Sequence, residues 1–232
     1  MSSFPRTSLG VPGLDDVLEG GVPEGSIILL SGPPGTGKTT LAFQIAMGYV
    51  RAGKAVAYIS AITEPLSAIL RYASEYSFFD SDAFISKSKT YDLSAYTRWD
   101  NDVREALFKI LGEITRAQPS LIIFDPVTVL KGYYDRHCYR QVLDEFFTRL
   151  RLTGATAVLT GEVGEEALSL AAESYLVDAI ISLAIERGGV RGYRLLRVLK
   201  FRGVRHTLDS MRYEINSGGI MVFPAQDIGA LT

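Results

Sequence analysis

The sequence predicts an α/β fold: a mainly parallel central sheet flanked by helices, with a C-terminal antiparallel extension. Three observations carry this. Short apolar runs alternate with longer segments of helical periodicity as far as residue 160. After residue 178 the alternation stops, and strand-like segments follow one another, punctuated by Gly188-Gly189 and Gly218-Gly219. The 232 residues, 47% hydrophobic and 22% charged, have the composition of a globular chain with a sizeable core.

Each element has its own warrant. Ser26–Ser31 is an unbroken apolar run between small polar residues, as a strand buried on both faces requires. A helix is expected over Lys38–Ala52, a second strand over Ala55–Ser60 and a second helix over Leu66–Tyr76. The short apolar stretch Ala83–Ser86 reads as a brief strand. Asn101–Ala117 places Val103, Leu107, Ile110, Leu111 and Ile114 on one helical face. Leu121–Phe124 is a buried strand, Tyr139–Leu152 a helix and Ala155–Thr160 a strand. Asp178–Glu186, Tyr193–Phe201 and Met211–Ile215 form the antiparallel extension. No Pro/Ser linker or repeat interrupts the chain, so one domain over residues 1–232 is expected.

The net charge of −2 hides an asymmetry. Between Arg187 and Arg212 lie eight Lys/Arg and one acid, a local charge of +7 that leaves −9 for the remainder. The small net charge argues against a dedicated nucleic-acid coat, yet the basic block needs an anion. The lone cysteine, Cys138, forbids an intrachain disulfide and fits a reducing cytosol. The start, MSSFPRTSLG, lacks the apolar centre of a signal peptide. The apolar stretch Ala167–Ile185 carries Glu173 and Asp178, whereas a spanning helix needs about 20 nearly uncharged residues. A cytoplasmic chain without a membrane partner is expected.

The chemistry concentrates after the first strand. Gly32-Pro33-Pro34-Gly35-Thr36-Gly37-Lys38-Thr39 fits G-x-x-x-x-G-K-[ST], with Thr40 next in the same helix start. Glycines let the backbone turn its N–H groups toward phosphate oxygens. Lys38 supplies a cation for β/γ-phosphates, Thr39 a hydroxyl for Mg²⁺, and the helix N-terminus its positive dipole end. The strand before and the helix after are the context this motif needs. Asp125, at the end of Leu121–Phe124, is the expected second metal-site residue. For the catalytic base that orients water, Glu64 just past the second strand is the first candidate, with Asp92 and Glu162 as rivals.

Together these residues resemble the RecA-like ATPases of the P-loop NTPase class, and within them the KaiC-like group. Gly10-Val-Pro-Gly-Leu-Asp-Asp-Val-Leu-Glu-Gly-Gly-Val-Pro-Glu-Gly25 is similar to that group's N-terminal signature, and Val198-Leu-Lys200-Phe-Arg202-Gly-Val-Arg-His206 to its Lys-x-Arg strand and turn. Glu173–Leu183, with Tyr175 and Asp178, resembles the stretch before that strand. The resemblance implies a Mg²⁺-dependent ATPase in a homo-oligomeric ring, often a hexamer, with ATP between subunits. Lys200 and Arg202 would then reach the γ-phosphate held by a neighbour. It also implies a role in signalling or regulation, with a protein partner the sequence does not name. Where many of these domains carry a Glu-Glu pair, this chain has Thr63-Glu64, which implies slow turnover or a nucleotide-gated module. The clock protein has two such domains and a phosphorylated Ser/Thr pair near its end; residues 223–232 show no such pair, so no circadian role is inherited.

Weaker signals remain. Lys131-Gly-Tyr-Tyr-Asp-Arg-His-Cys-Tyr-Arg140 interleaves bases and aromatics, a pattern suited to single-stranded nucleic acid, but an exposed loop with tyrosines at an interface is the preferred reading. Glu162, Glu165 and Glu166 would repel a nucleic-acid backbone, so nucleic acid is not the favoured partner. His137, His206 and Cys138 lack zinc-site spacing. His206 reads as a polar turn residue, and Thr160 either as a γ-phosphate sensor or a strand-end hydroxyl.

Overall fold

A computed structural model describes residues 5–61, 66–97, 102–188 and 191–223. Its elements run in the order β1 (Arg6–Thr7), α1 (Leu14–Val17), β2 (Val22–Pro23), β3 (Ile27–Ser31), α2 (Lys38–Arg51) and β4 (Val56–Ser60). Then come α3 (Leu66–Ala73), α4 (Ser81–Lys87), β5 (Ser88–Asp92), α5 (Leu93–Thr97), α6 (Val103–Ala117) and β6 (Leu121–Asp125). A 3-10 turn (Val127–Gly132) leads to α7 (Arg136–Leu152), β7 (Thr156–Gly161), α8 (Glu165–Leu168) and α9 (Ala172–Leu176). The chain closes with β8 (Ala179–Gly188), β9 (Arg191–Phe201), β10 (Met211–Asn216) and β11 (Gly219–Phe223).

Nine strands form one sheet in the order β11-β10-β9-β8-β3-β7-β6-β4-β5. From β8 through β5 every pairing is parallel, and from β8 to β11 every pairing is antiparallel. The expected α/β architecture with its antiparallel extension is therefore observed. Alternating side chains divide each central strand between two cores. Ile28 and Leu30 face one side with α2, and Ile27 and Leu29 face the other with α6 and α7. This is why the central strands are apolar throughout rather than alternating.

Three expectations change. Ala83–Ser86 is helical, within α4, because Asp80 caps it by accepting a 2.9 Å bond from the Ala83 N–H. The strand of that region is β5, a half-exposed edge of mixed polar sequence. Helix α7 starts at Arg136 rather than Tyr139, since Asp135 caps the His137 and Cys138 amides. The Gly218-Gly219 pair does not end the extension but turns it into a fourth antiparallel strand, β11. Among the described residues no helix is long and apolar enough to cross a membrane.

Candidate functional site

The crossover from β3 to α2 builds the site. Gly32 follows the last residue of β3 and its amide donates to Gly161 O at 3.2 Å, continuing the β3–β7 pairing. A Cβ on Gly32 would sit 2.2 Å from the Leu183 carbonyl oxygen, so only glycine passes there. Gly32→Ala is expected to lower stability by about 1–3 kcal/mol, read as the shift in a urea unfolding midpoint; an unchanged midpoint would refute this close approach. Further along, Thr36 donates its hydroxyl to Pro33 O at 2.9 Å, and Tyr213 of β10 donates to Thr36 O at 2.6 Å. The loop is thus tied at both ends, once to itself and once to the antiparallel extension.

Lys38 opens α2 and is buried. Its ammonium donates to Gly32 O at 2.9 Å and Pro33 O at 3.0 Å. Burial pulls its pKa below the ordinary lysine value, while Glu162 and Asp125 pull it back up. Asp125 ends β6 and is only 2% exposed. Tyr58 of β4 donates to its Oδ2 at 2.9 Å, and Thr160 of β7 donates to its Oδ1. The Tyr58 hydroxyl is held far above its usual pKa by burial and by the adjacent carboxylate, so it remains a donor. The two hydroxyl donors fix the Asp125 side chain in place.

Loop, Lys38, Thr39, Thr40, Asp125, Pro126 and Glu162 line one cleft of about 290 Å³. Thr39 and Thr40 also border a second, mostly apolar pocket of about 450 Å³, walled by Phe43, Ile69, Tyr72 and Phe78. Of the three carboxylates considered as base, Glu64 lies outside the described residues. Asp92 accepts from the Ser94 amide and hydroxyl and the Ala95 amide, which makes it the cap of α5. Glu162, exposed, is the one on the cleft wall.

Lys200 and Arg202 sit elsewhere. Phe201 pairs with Ala179, which pairs with Ile28, so this end of β9 lies beside the start of β3 and not beside the loop. Lys200 donates to Ser174 O at 2.7 Å and Val177 O at 2.8 Å. Arg202 donates to Tyr175 O at 2.6 Å and stands 3.6 Å from Asp178. Both cations therefore project to the same side, onto the carbonyl end of α9. Asp178 also takes a bidentate pair from Arg151 and accepts the Ile27 amide at 2.9 Å, fixing the start of β3. Arg202 lies level with Ile27, so five strand steps and two strand spacings separate it from Gly32 of its own loop, roughly 16 Å along and 10 Å across the sheet.

A family model described as "ATPase: KaiC" matches residues 7–227. The chain belongs to the KaiC family of ATPases. Its KaiC-family fold has solved counterparts: a KaiC-like protein of Pyrococcus horikoshii superposes with a TM-score of 0.83 at 26% identity, over 95% of this chain and 100% of that one. Among curated relatives, a UPF0273 protein of the same organism is 30% identical across 94% of each chain. A circadian clock oscillator protein KaiC of Rippkaea orientalis is 28% identical over 92% of this chain, but only 43% of its own length is covered. This KaiC-family chain therefore corresponds to part of the clock protein and to nearly all of the UPF0273 protein.

Three site residues were not legible as such in the sequence. Tyr58, Thr160 and Tyr213 act through partners 67, 35 and 177 residues away. Thr160, readable as a phosphate sensor or a strand-end hydroxyl, supports the Asp125 carboxylate through its hydrogen bond. No local spacing signals any of the three; the only hint is a polar atom on an otherwise buried strand.

Proposed function

We propose that the chain is a single ATPase domain that binds Mg·ATP in the Lys38–Asp125 cleft and hydrolyses it by water attack, in a homo-oligomeric ring whose neighbours complete each site. The observation that carries this is the convergence of the Gly32–Gly37 loop, Lys38, Thr39 and Asp125 on one cleft. Loop amides and the start of α2 receive the phosphates. Lys38 neutralises β/γ-oxygens, and its buried ammonium, already desolvated, pays little further penalty on contact. A hydroxyl and a carboxylate are hard oxygen donors suited to Mg²⁺ with retained waters, so Thr39 and Asp125 would hold it. Held there, a magnesium ion would supply positive charge against the phosphates. The pocket walled by Phe43 and Tyr72, sharing Thr39 and Thr40 with the cleft, suits the planar base.

Glu64 is proposed as the residue that orients the attacking water. Lys200 and Arg202 are proposed to act in trans. Their register, at the far end of the sheet from their own loop, supports this, because a heterologous ring contact brings opposite ends of neighbouring subunits together. A role as a nucleotide-dependent regulator acting on a protein partner fits the single acid at Glu64 and the slow turnover it implies.

ATP turnover with and without Mg²⁺ tests the reading. Activity should appear with Mg²⁺ and vanish with excess EDTA. Glu64→Gln should reduce turnover about 100-fold or more with ATP affinity kept, and Glu162→Gln less than about tenfold. If Glu162→Gln proves the more damaging, the base is on the β7 loop and the Glu64 assignment fails.

A further inference from the structure

A concavity lined by three cations lies outside the cleft. Lys131, Tyr134, Arg136, Tyr139, Arg140 and Tyr175 face a pocket of about 570 Å³ between the α7 start and the segment leading into α9. No acid is among its lining residues. The volume is that of a small-ligand site.

The three cations are not equivalent. Lys131 is spent inside the fold: it pairs at 2.9 Å with Glu173, which is fully buried and also accepts from Tyr139 at 2.6 Å. Arg136 and Arg140 have no hydrogen-bond or ion-pair partner among the described residues. They stand four apart on α7, where like charges share a face and repel. The fold thus keeps two unneutralised guanidiniums at one pocket without an internal use for them.

The aromatic wall is held rigid. Tyr175 is 58% exposed, yet its hydroxyl donates to Ser169 O at 2.6 Å, which fixes the ring beside the pocket instead of leaving it to fold away. Tyr134 is partly buried, with its hydroxyl 3.4 Å from Asp102. Fixed aromatic faces lose little entropy on binding a flat partner, and bases stack on them without regard to sequence. Guanidiniums recognise phosphate in a planar, bidentate manner.

We propose that this pocket is a second nucleotide-binding site, taking one nucleotide unit with its phosphate on Arg136 and Arg140 and its base against Tyr175. The same chemistry can come from a free mononucleotide or from a nucleotide within a single strand. A site distinct from the Lys38 cleft would give the protein a nucleotide input separate from the one it hydrolyses.

The test uses full-length Lys38→Ala protein, which removes one phosphate cation from the cleft, and assigns binding to this pocket only where the pocket variants weaken it. Two probes are titrated at low salt by fluorescence anisotropy: ethenoadenosine 5′-monophosphate and a labelled twelve-residue oligothymidylate. Saturable binding of either probe is expected, the first identifying a free nucleotide and the second a strand. Arg136→Ala with Arg140→Ala, and separately Tyr175→Leu, should each weaken binding by about tenfold or more. Both changes are at exposed side chains, and an unchanged melting temperature confirms the fold. No binding of either probe, or binding indifferent to both variants, overturns the proposal. Because Arg136, Arg140 and Tyr175 line no part of the cleft, this result stands whether or not the cleft hydrolyses ATP.

Discussion

Lys38→Ala is expected to lower ATP turnover by at least about 100-fold, the scale lost when one preorganised donor is taken from a developing oxyanion. The side chain is placed for this by its neighbours rather than by length alone. The Gly32 and Pro33 carbonyls hold the ammonium at 2.9 and 3.0 Å, while burial lowers its pKa and Glu162 and Asp125 oppose that lowering. Steady-state turnover with ATP affinity measured in parallel separates the cases. A loss in turnover larger than the loss in affinity is the result expected of a group that acts on the transition state. Turnover within threefold of the parent protein would remove Lys38, and with it the cleft, from the reaction.

What the sequence made legible follows the range of each interaction. The phosphate loop is contiguous, and its strand and helix flank it directly, so Gly32 to Thr40 could be read from spacing alone. The position of Asp125 at a strand end was readable because it closes an apolar run. The sheet was largely readable, since fully buried parallel strands leave unbroken runs such as Ile27–Leu30 and Leu121–Phe124. Ala83–Ser86 was misread because a four-residue apolar stretch has no period of its own; Phe84 is buried and Ile85 exposed, an alternation that suits a strand as well as one helical turn. The deciding signal was the Asp80 cap. The supports of the site, Tyr58, Thr160 and Tyr213, were beyond reach for a different reason: their partners are set by sheet order, which places β4 and β7 on either side of β6.

The basic block between Arg187 and Arg212 was also only partly readable. Its charge pointed to an anion, but the structure divides it. Arg197 is committed to Glu165 and Glu186 at 2.9 and 3.0 Å. Lys200 and Arg202 gather at the carbonyl end of α9.

The second large effect belongs to Arg202. On the proposed trans reading, Arg202→Ala is expected to reduce turnover about 1000-fold, the lower range for an arginine finger, while the protein's own cleft keeps its ATP affinity within a few-fold. Its pairing with Asp178 is half-exposed and contributes little to stability, so the loss should fall on catalysis rather than on folding. An unchanged melting temperature beside lost turnover is the expected pair of results. Lost turnover with a collapsed fold would instead make Arg202 a structural support of α9.

The most direct measurement is turnover of assemblies that contain both defects in different subunits. Lys38→Ala and Arg202→Ala chains, carrying different tags, are co-expressed and purified through both tags in succession. Each variant alone is inactive on this account, but in a random ring about one interface in four joins an intact phosphate loop to an intact neighbouring Arg202. The account predicts recovery of about a quarter of parental turnover per subunit. Mixed assemblies that are as inactive as either variant, or an Arg202→Ala protein that is fully active alone, would contradict it.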